Sequence, residues 1–547
     1  MASLGLSNRV NDDNVKWYTL VAACFALFMA ILDNLVVNIA LPTISRDLDA
    51  RATELQWVIS AYTLVFASLQ ISAGGLGDRF GRKRWFMIGL ALFTSVSAIA
   101  AFSNSMNMLI VMRALQGVGA ALIMPLSLSL ISNAFPPEER GRAIGIWSAV
   151  SVSSIALGPV VGGAIVEYFS WGWIFLINVP IGIGALLVTQ AVVRESRDES
   201  GTAATDVPGT ILITAGIASL TWGLIQAGER GWTDTWILVS FLAAAIILPV
   251  FIWVEMHTER PMIPMNFFRS RTFVGANIDS FMIAFLITGV SFFLTLYQQN
   301  IHGFSPIRTG LALVPMVAVM MVFSPLSGSM VNKLGPRRLI SFGMIVTGIG
   351  TALFLVAGVG VSYWRILPAF MIMGFGMSFI WAPMTTAVLN SVSSEKSGVA
   401  SAVNGSLREI GTAFGVALLG TIANRAYQDN FNGSADVQAL RASSGEALAP
   451  VIDLVGSGMN FGGQVISRMP DFVGLPPQAI RTLESASAEA FMVGMDRAII
   501  FSTAGIIIAA VISYFLIEDE VVERALEPDG ESVPRPEDVD FVPSAAD

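Results

Sequence analysis

The sequence predicts an all-α integral membrane protein made of two similar halves. Three observations carry the prediction. Of the 547 residues, 54% are apolar, the mean hydropathy is +0.68 and only 13% are charged; an ordinary soluble domain carries about 25% charged residues. Runs such as 85–112 and 339–364 contain no charge, and each exceeds the roughly 20 residues that cross a bilayer core. Finally, "GGLGDRFGRKR" at 74–84 is repeated as "GSMVNKLGPRR" at 328–338. Gly141, Ala143 and Gly158 recur with the same spacing as Gly398, Ala400 and Gly415. Two parallel halves of this kind are a transporter architecture.

The spans follow in order. Span 1, at 17–41, is an apolar run interrupted by Asp33. Spans 2 (55–77) and 3 (85–104) flank the first copy of the repeated turn. Span 4 (108–133) carries Arg113 near its start, and span 5 (141–167) carries the small-residue run at 158–163. Span 6 is at 173–193. Spans 7 (208–228) and 8 (235–255) have no counterpart in the repeat and read as an insertion. Span 9 (272–299) holds Asp279. Spans 10 (307–331) and 11 (337–358) flank the second turn, and span 12 is at 363–390. Span 13 (397–424) holds Arg408 and Glu409, and span 14 (497–517) closes the set. The domains expected are an N-terminus at 1–16, a six-helix bundle at 17–195, two inserted helices within 208–256, a second bundle at 272–518 and an acidic, disordered tail at 519–547. Fourteen helices result.

Lys and Arg set the orientation. With the N-terminus inside, nineteen basic residues fall on the inner face and ten on the outer face. Both termini are therefore expected in the cytoplasm, and the protein in a plasma (inner) membrane. The loop at 425–496 is too long for a connector. It is mixed apolar and polar, with a helix expected from 478 into span 14, so an outer helical hairpin is expected. It reads equally as a lid or as a packing element.

Several classes are excluded. The single cysteine, Cys24, permits neither an intrachain disulfide nor a zinc spacing. No nucleotide-binding GxxxxGK[ST] loop is present, which disfavours ATP-driven pumping. No metal or nucleophile constellation suggests an enzyme, and nothing suggests nucleic acid as a partner. His257 and His302 read as loop residues, interface residues or a pH sensor. No cofactor is expected beyond a coupling ion.

The motifs resemble those of the major facilitator superfamily, in particular its fourteen-helix branch of drug:proton antiporters. "LDNLVVNIALP" at 32–42 is similar to that branch's helix-1 signature, and "GGLGDRFGRKR" to the superfamily's loop between helices 2 and 3. "RALQGVG" at 113–119, "GPVVGG" at 158–163 and "WGWIFLINVPIG" at 171–182 are similar to the motifs of helices 4, 5 and 6. Two departures stand out: Asn332 occupies the second-half position of Asp78, and Gly172 stands where the family usually has arginine.

The resemblance implies a major facilitator fold, two six-helix bundles plus two inserted helices, and function as a proton-coupled exporter of lipophilic, cationic drugs. An exporter or flippase of a native lipid or metabolite is the alternative, and a membrane sensor a more remote one. Small lipophilic molecules and membrane lipids are the implied partners, the proton is the coupling ion, and the chain is expected to be a monomer. A carboxylate at mid-membrane costs roughly 2.5–3.5 kcal/mol, so Asp33 needs a reason. Asp33 and Arg113 lie about 12 and 8 Å from the outer ends of their spans, and facilitator helices 1 and 4 meet at the central cavity. The two therefore pair, either as a proton-exchange site or as a static ion pair, with Gln116 one turn on. Glu409 and Asp279 are further proton-coupling candidates.

The resemblance also implies a gate lock at Gly74, Asp78, Arg79, Gly81 and Arg82, with Arg142 as a partner for Asp78; a simple positive-inside anchor explains the same residues. Gly158, Pro159 and Gly162 imply a helix pivot or a proton-leak seal; close packing alone explains the same residues. Substrate-cavity candidates are Asn38, Gln56, Trp57, Tyr62, Gln70, Gln116, Phe285, Phe292, Tyr297, Phe379, Trp381, Asn404, Arg408 and Phe414; any of the aromatics can instead face lipid.

Overall fold

The computed structural model describes residues 12–50, 52–197, 206–258, 261–443, 445–459 and 476–518. Among these, every regular element is a helix. In chain order they are α1 (Asp12–Asp47), α2 (Ala52–Phe80), α3 (Arg82–Ala100), α4 (Met106–Ala134), α5 (Pro137–Tyr168), α6 (Trp173–Leu176), α7 (Asn178–Val192), α8 (Val207–Arg230), α9 (Thr235–His257), α10 (Arg271–Leu296), α11 (Pro306–Leu334), α12 (Pro336–Ala352), α13 (Tyr363–Ser378), α14 (Trp381–Asn390), α15 (Ser397–Phe414), α16 (Gly420–Gly433), α17 (Ala435–Ser443), α18 (Gly445–Gly456) and α19 (Pro477–Leu516). The expected segments at 1–11 and 519–547, and the part of the long loop at 460–475, lie outside the described residues.

Twelve helices among the described residues are long and apolar enough to cross a membrane, counting α6–α7 and α13–α14 as one each. The spans expected at 141–167 and 397–424 are present as α5 and as α15 with α16, but are not among those twelve. α15 and α16 are separated by a π turn at Gly415–Leu419. Short breaks also fall at Ile177 and at Phe379–Ile380. Ends are set locally. Ser105, Asp206, Asp234, Ser270 and Ser305 each accept a bond from an N–H in the first turn of the following helix, as N-caps do.

The two repeated turns share a backbone requirement. Gly81 has φ 109° and Gly335 φ 77°, values that favour glycine. These turns lie on one face of the molecule, the motif face, with the starts of α1 and α5: Lys16 pairs with Glu139 at 2.6 Å. The opposite face carries α17, α18 and the start of α19, the hairpin face.

The halves interlock at the motif face through the repeated glycines. α2 packs on α15, and α5 on α11. A Cβ at Gly74 would strike the carbonyl oxygen of Gly398, and one at Gly328 the carbonyl oxygen of Gly141. The first repeat pair is Gly74/Gly328 and the second Gly141/Gly398. Each copy of the turn motif thus packs against the second motif of the other half. Close backbone approach needs the absent side chain at these positions. The α5–α11 contact continues to the hairpin face, where Gly163 meets Ile307. α8 and α9 pack on each other, and α8 also contacts α2 and α15.

The long loop is ordered where it is described. α16, α17 and α18 pack against α19. Tyr427 donates to the carbonyl of Val455 at 3.0 Å and lies 2.8 Å from the hydroxyl of Ser487. Burial there pushes its phenol up to about 12.

Candidate functional site

Asp33 is 1% exposed and Arg113 is wholly buried. Arg113 Nη1 donates to Asp33 Oδ2 at 2.5 Å. Its other donors reach the carbonyl of Val58 at 3.1 Å and Gln116 Oε1 at 3.1 Å. Asp33 Oδ1 accepts from Asn178 at 2.6 Å and from Gln116 at 3.2 Å, while Gln116 also donates to the hydroxyl of Ser97 at 2.7 Å. A buried ion pair survives only with its remaining donors and acceptors satisfied, and five helices, α1, α2, α3, α4 and α7, supply that shell. Sequence reasoning pairs Asp33 with Arg113 and adds Gln116. It misses Asn178, Ser97 and the backbone of Val58. The amide of Asn178 in the otherwise apolar "WIFLINVPIG" was the available signal.

The guanidinium of Arg113 also lies over the ring of Tyr62, 4.3 Å from its centre. The Tyr62 hydroxyl donates to the carbonyl of Ala30 at 3.2 Å. Glu409 lies 3.8 Å from Arg408, whose guanidinium reaches the sulfur of Met124 at 3.4 Å and faces the ring of Trp381. Asp33, Arg113 and Tyr62 thus form one group of contacts in the first half, and Glu409 and Arg408 of α15 form a second that touches the first half through Met124 of α4. Beside it, Gln70, Asn404 and Arg408 line a cavity with Met124, Trp147, Thr385 and Ser401.

At the motif face, Asp78 accepts from the N–H groups of Gly398 and Val399 at 3.1 and 2.9 Å. These are the first amides of α15, where the helix dipole favours a carboxylate. Arg82 donates to Asp78 at 2.7 Å and to the carbonyls of Ser394 and Glu395 at 2.9 and 2.6 Å. The second copy is weaker: Asn332, lacking the charge, donates to the carbonyls of Pro137 and Glu138 at 3.4 and 3.1 Å. Arg140 adds a bond to Asn390 at 3.0 Å.

Other candidates are placed elsewhere. Arg142 lies over the ring of Trp17 and Arg82 takes the place expected for it beside Asp78. Arg79 sits at the last turn of α2. Gly158 and Gly162 pack against Leu35 and Val36 of α1; the side chain of Pro159 lies outside the described residues. Gln56 and Trp57 face Trp222 and Gln226 of α8 in a side crevice, because α8 covers that face of α2. Asn38 is exposed and bonds to the carbonyl of Asn34 at 3.1 Å. Phe285 and Phe414 share contacts with Phe281, and Phe292 meets Phe293 edge to face. Phe379 packs with Phe342 and Phe375 between α12 and α13, away from the cavity. Tyr297 is tied to Gly358 and His302 at the hairpin face. Asp279 is fully buried and both its oxygens lack a hydrogen-bond partner of normal geometry. Gly275, one turn before it on α10, and Leu286, two turns after it, pack on Leu516 and Gly505, so Asp279 faces α19 and is not brought to the Asp33 cluster.

An all-helical membrane fold whose homologous halves meet along a charged seam is that of a transporter. The Major Facilitator Superfamily profile matches residues 23–416, and the chain belongs to that family; it is a transporter and not an enzyme. It is 33% identical over 518 residues to the tetracenomycin C resistance and export protein of Streptomyces glaucescens, covering 93% of both chains. To the multidrug resistance protein Stp of Mycobacterium tuberculosis it is 34% identical over 405 residues, covering 74% of this chain and 75% of that one. The fold is also that of the human organic anion transporter MFSD10 (TM-score 0.58, 11% identity, 92% of this chain and 100% of that chain).

Proposed function

We propose that the chain is a proton-coupled antiporter that exports lipophilic, cationic drugs by alternating access. Similarity to proteins named for antibiotic resistance and export supports the drug-export part. The reading belongs to a fourteen-helix protein of two six-helix bundles, 17–195 and 272–518, with α8 and α9 inserted and with α5 and α15–α16 also crossing. The motif face is cytoplasmic, with both termini, in a plasma membrane, and the protein acts as a monomer.

The buried Asp33 cluster carries the proton-coupling part. Asp33 is held as a carboxylate only by Arg113, Asn178 and Gln116. A proton on Asp33 removes the charge that holds Arg113 and frees the guanidinium to shift toward Tyr62 and Glu409. Deprotonation restores the pair. The proton thereby changes the contact between α1 and α4 and, through Glu409 and Arg408, the fit of the second half. Drug binding in the cavity beside Gln70, Asn404 and Arg408 competes with the same state. The lock at Asp78 and Arg82 holds the cytoplasmic side closed meanwhile.

The test is gradient-driven drug uptake into inside-out vesicles. Asp33→Asn keeps the size and removes the titratable group, so uptake is abolished at normal expression; Asp33→Glu keeps part of it. Uptake by Asp33→Asn equal to wild type would place the coupling proton elsewhere.

A further inference from the structure

The inserted pair carries a buried acidic site that the Asp33 reading does not use. Asp206 caps α8, its Oδ1 accepting from Gly209 N at 2.8 Å. Its Oδ2 is buried without a partner. Glu255, on the last turns of α9, is 2% exposed, and neither of its oxygens receives a hydrogen bond of normal geometry, although the amides of Met262 and Ile263 lie against it. The two carboxyls converge: a Cβ at Gly209 would meet both Asp206 Oδ2 and Glu255 Oε1. Two carboxylates so placed cannot both remain ionised. One proton between them replaces repulsion with an O–H···O⁻ hydrogen bond, a strong type.

The site abuts the lock. Met262 accepts from the hydroxyl of Thr210 through its sulfur at 3.5 Å. Its side chain fills the space over Gly75 of α2, where Val399 of α15 also reaches. Val399 N–H is one of the two backbone donors to Asp78. We propose that Asp206 and Glu255 bind one proton between them, a second proton site on the inserted helices that seats Met262 against the α2–α15 lock. Loss of the proton drives the carboxylates apart, moves the 262–263 segment and loosens the lock.

Among the described residues the charged surroundings are sparse; Glu259 and Arg260, between Glu255 and Met262 in the chain, lie outside them. His257 is exposed and turned to the carbonyl of Trp253. The segment 261–264 carries no charge, nor does α15 from Ser397 to Leu407. Arg269 and Arg271 are exposed. α2 contributes Asp78 and Arg79 beyond Met262, and Asp78 bonds to Arg82 at the start of α3.

The test uses the full-length protein in lipid nanodiscs. Its thermal midpoint is followed from about pH 5 to about pH 9 for wild type, Glu255→Gln and Asp206→Asn, the last keeping a capping oxygen. The folded pair retains a proton that the unfolded chain releases, so wild type loses stability as pH rises. Each variant is matched to wild type at low pH and exceeds it by about 2 °C or more at high pH. A difference that does not change with pH overturns the proposal. So does a rise in the wild-type midpoint, absent from both variants, when millimolar calcium or magnesium is added at high pH, since the pair would then hold a metal cation. In a second arm, a cysteine at Ser401 is labelled from the motif face. Labelling speeds up with pH in wild type and is flat in Glu255→Gln; the same pH response in both also overturns it. Neither arm measures drug transport, so failure of the Asp33 reading would leave these outcomes distinct.

Discussion

Asp78→Asn isolates the energy of the motif-face lock. The native carboxylate accepts two α15 amides and Arg82, with bonds of 3.1, 2.9 and 2.7 Å, and is 1% exposed. Asparagine keeps one acceptor oxygen and turns a donor toward an amide or a guanidinium. Arg82 keeps the carbonyls of Ser394 and Glu395 but loses its counter-charge. Removing one partner of a buried pair costs about 3–5 kcal/mol. The cost falls only on the state in which α2 meets α15, because separation exposes both ends to water. At about 1.4 kcal/mol per factor of ten, the closed state loses roughly 100-fold or more of its population advantage. The assay replaces buried Cys24, places a cysteine at Ser401, which is 6% exposed beside the cavity, and measures labelling by an impermeant thiol reagent from the motif face. Labelling is expected at least tenfold faster in Asp78→Asn. Equal rates in both proteins would refute the argument that these three bonds hold the halves together.

Three further outcomes are expected. Asn178→Leu removes the 2.6 Å donor to Asp33; a bond to a buried charge contributes about 1.5–3 kcal/mol, so gradient-driven uptake falls about tenfold, and uptake within twofold of wild type would count against the role of Asn178. Asp279→Asn keeps uptake within about twofold, because Asp279 faces α19 and not the cavity; an inactive but well-folded Asp279→Asn protein would return it to the coupling set. Burial holds the His302 imidazole below its ordinary value of 6.5. The unfolded chain gains this proton first as pH falls, so stability drops below about pH 6.5 and His302→Gln reduces that drop; unchanged acid sensitivity of the thermal midpoint would contradict it.

Much of the helical plan was legible in the sequence because membrane spans are written as uncharged runs. A chain in lipid must satisfy its backbone within each helix, so hydropathy alone locates α1 to α4, α7 to α13 and α19. The pairing of Asp33 with Arg113 was legible too, since the two lie at similar depth and an isolated intramembrane charge is costly. The glycine repeat was visible as a spacing, but not what the glycines touch. Only the tertiary structure decided that Gly74 meets Gly398 and that Gly328 meets Gly141, because backbone contact depends on how the halves are rotated about each other. Asn178 joins Asp33 across a gap of 145 residues, and Arg82 displaces Arg142 as the partner of Asp78. Gln56 and Trp57 face α8, and Asp279 faces α19. Depth is one-dimensional and follows from position along a helix, at about 1.5 Å per residue. The direction a side chain points around that helix is fixed only by the neighbours that pack against it.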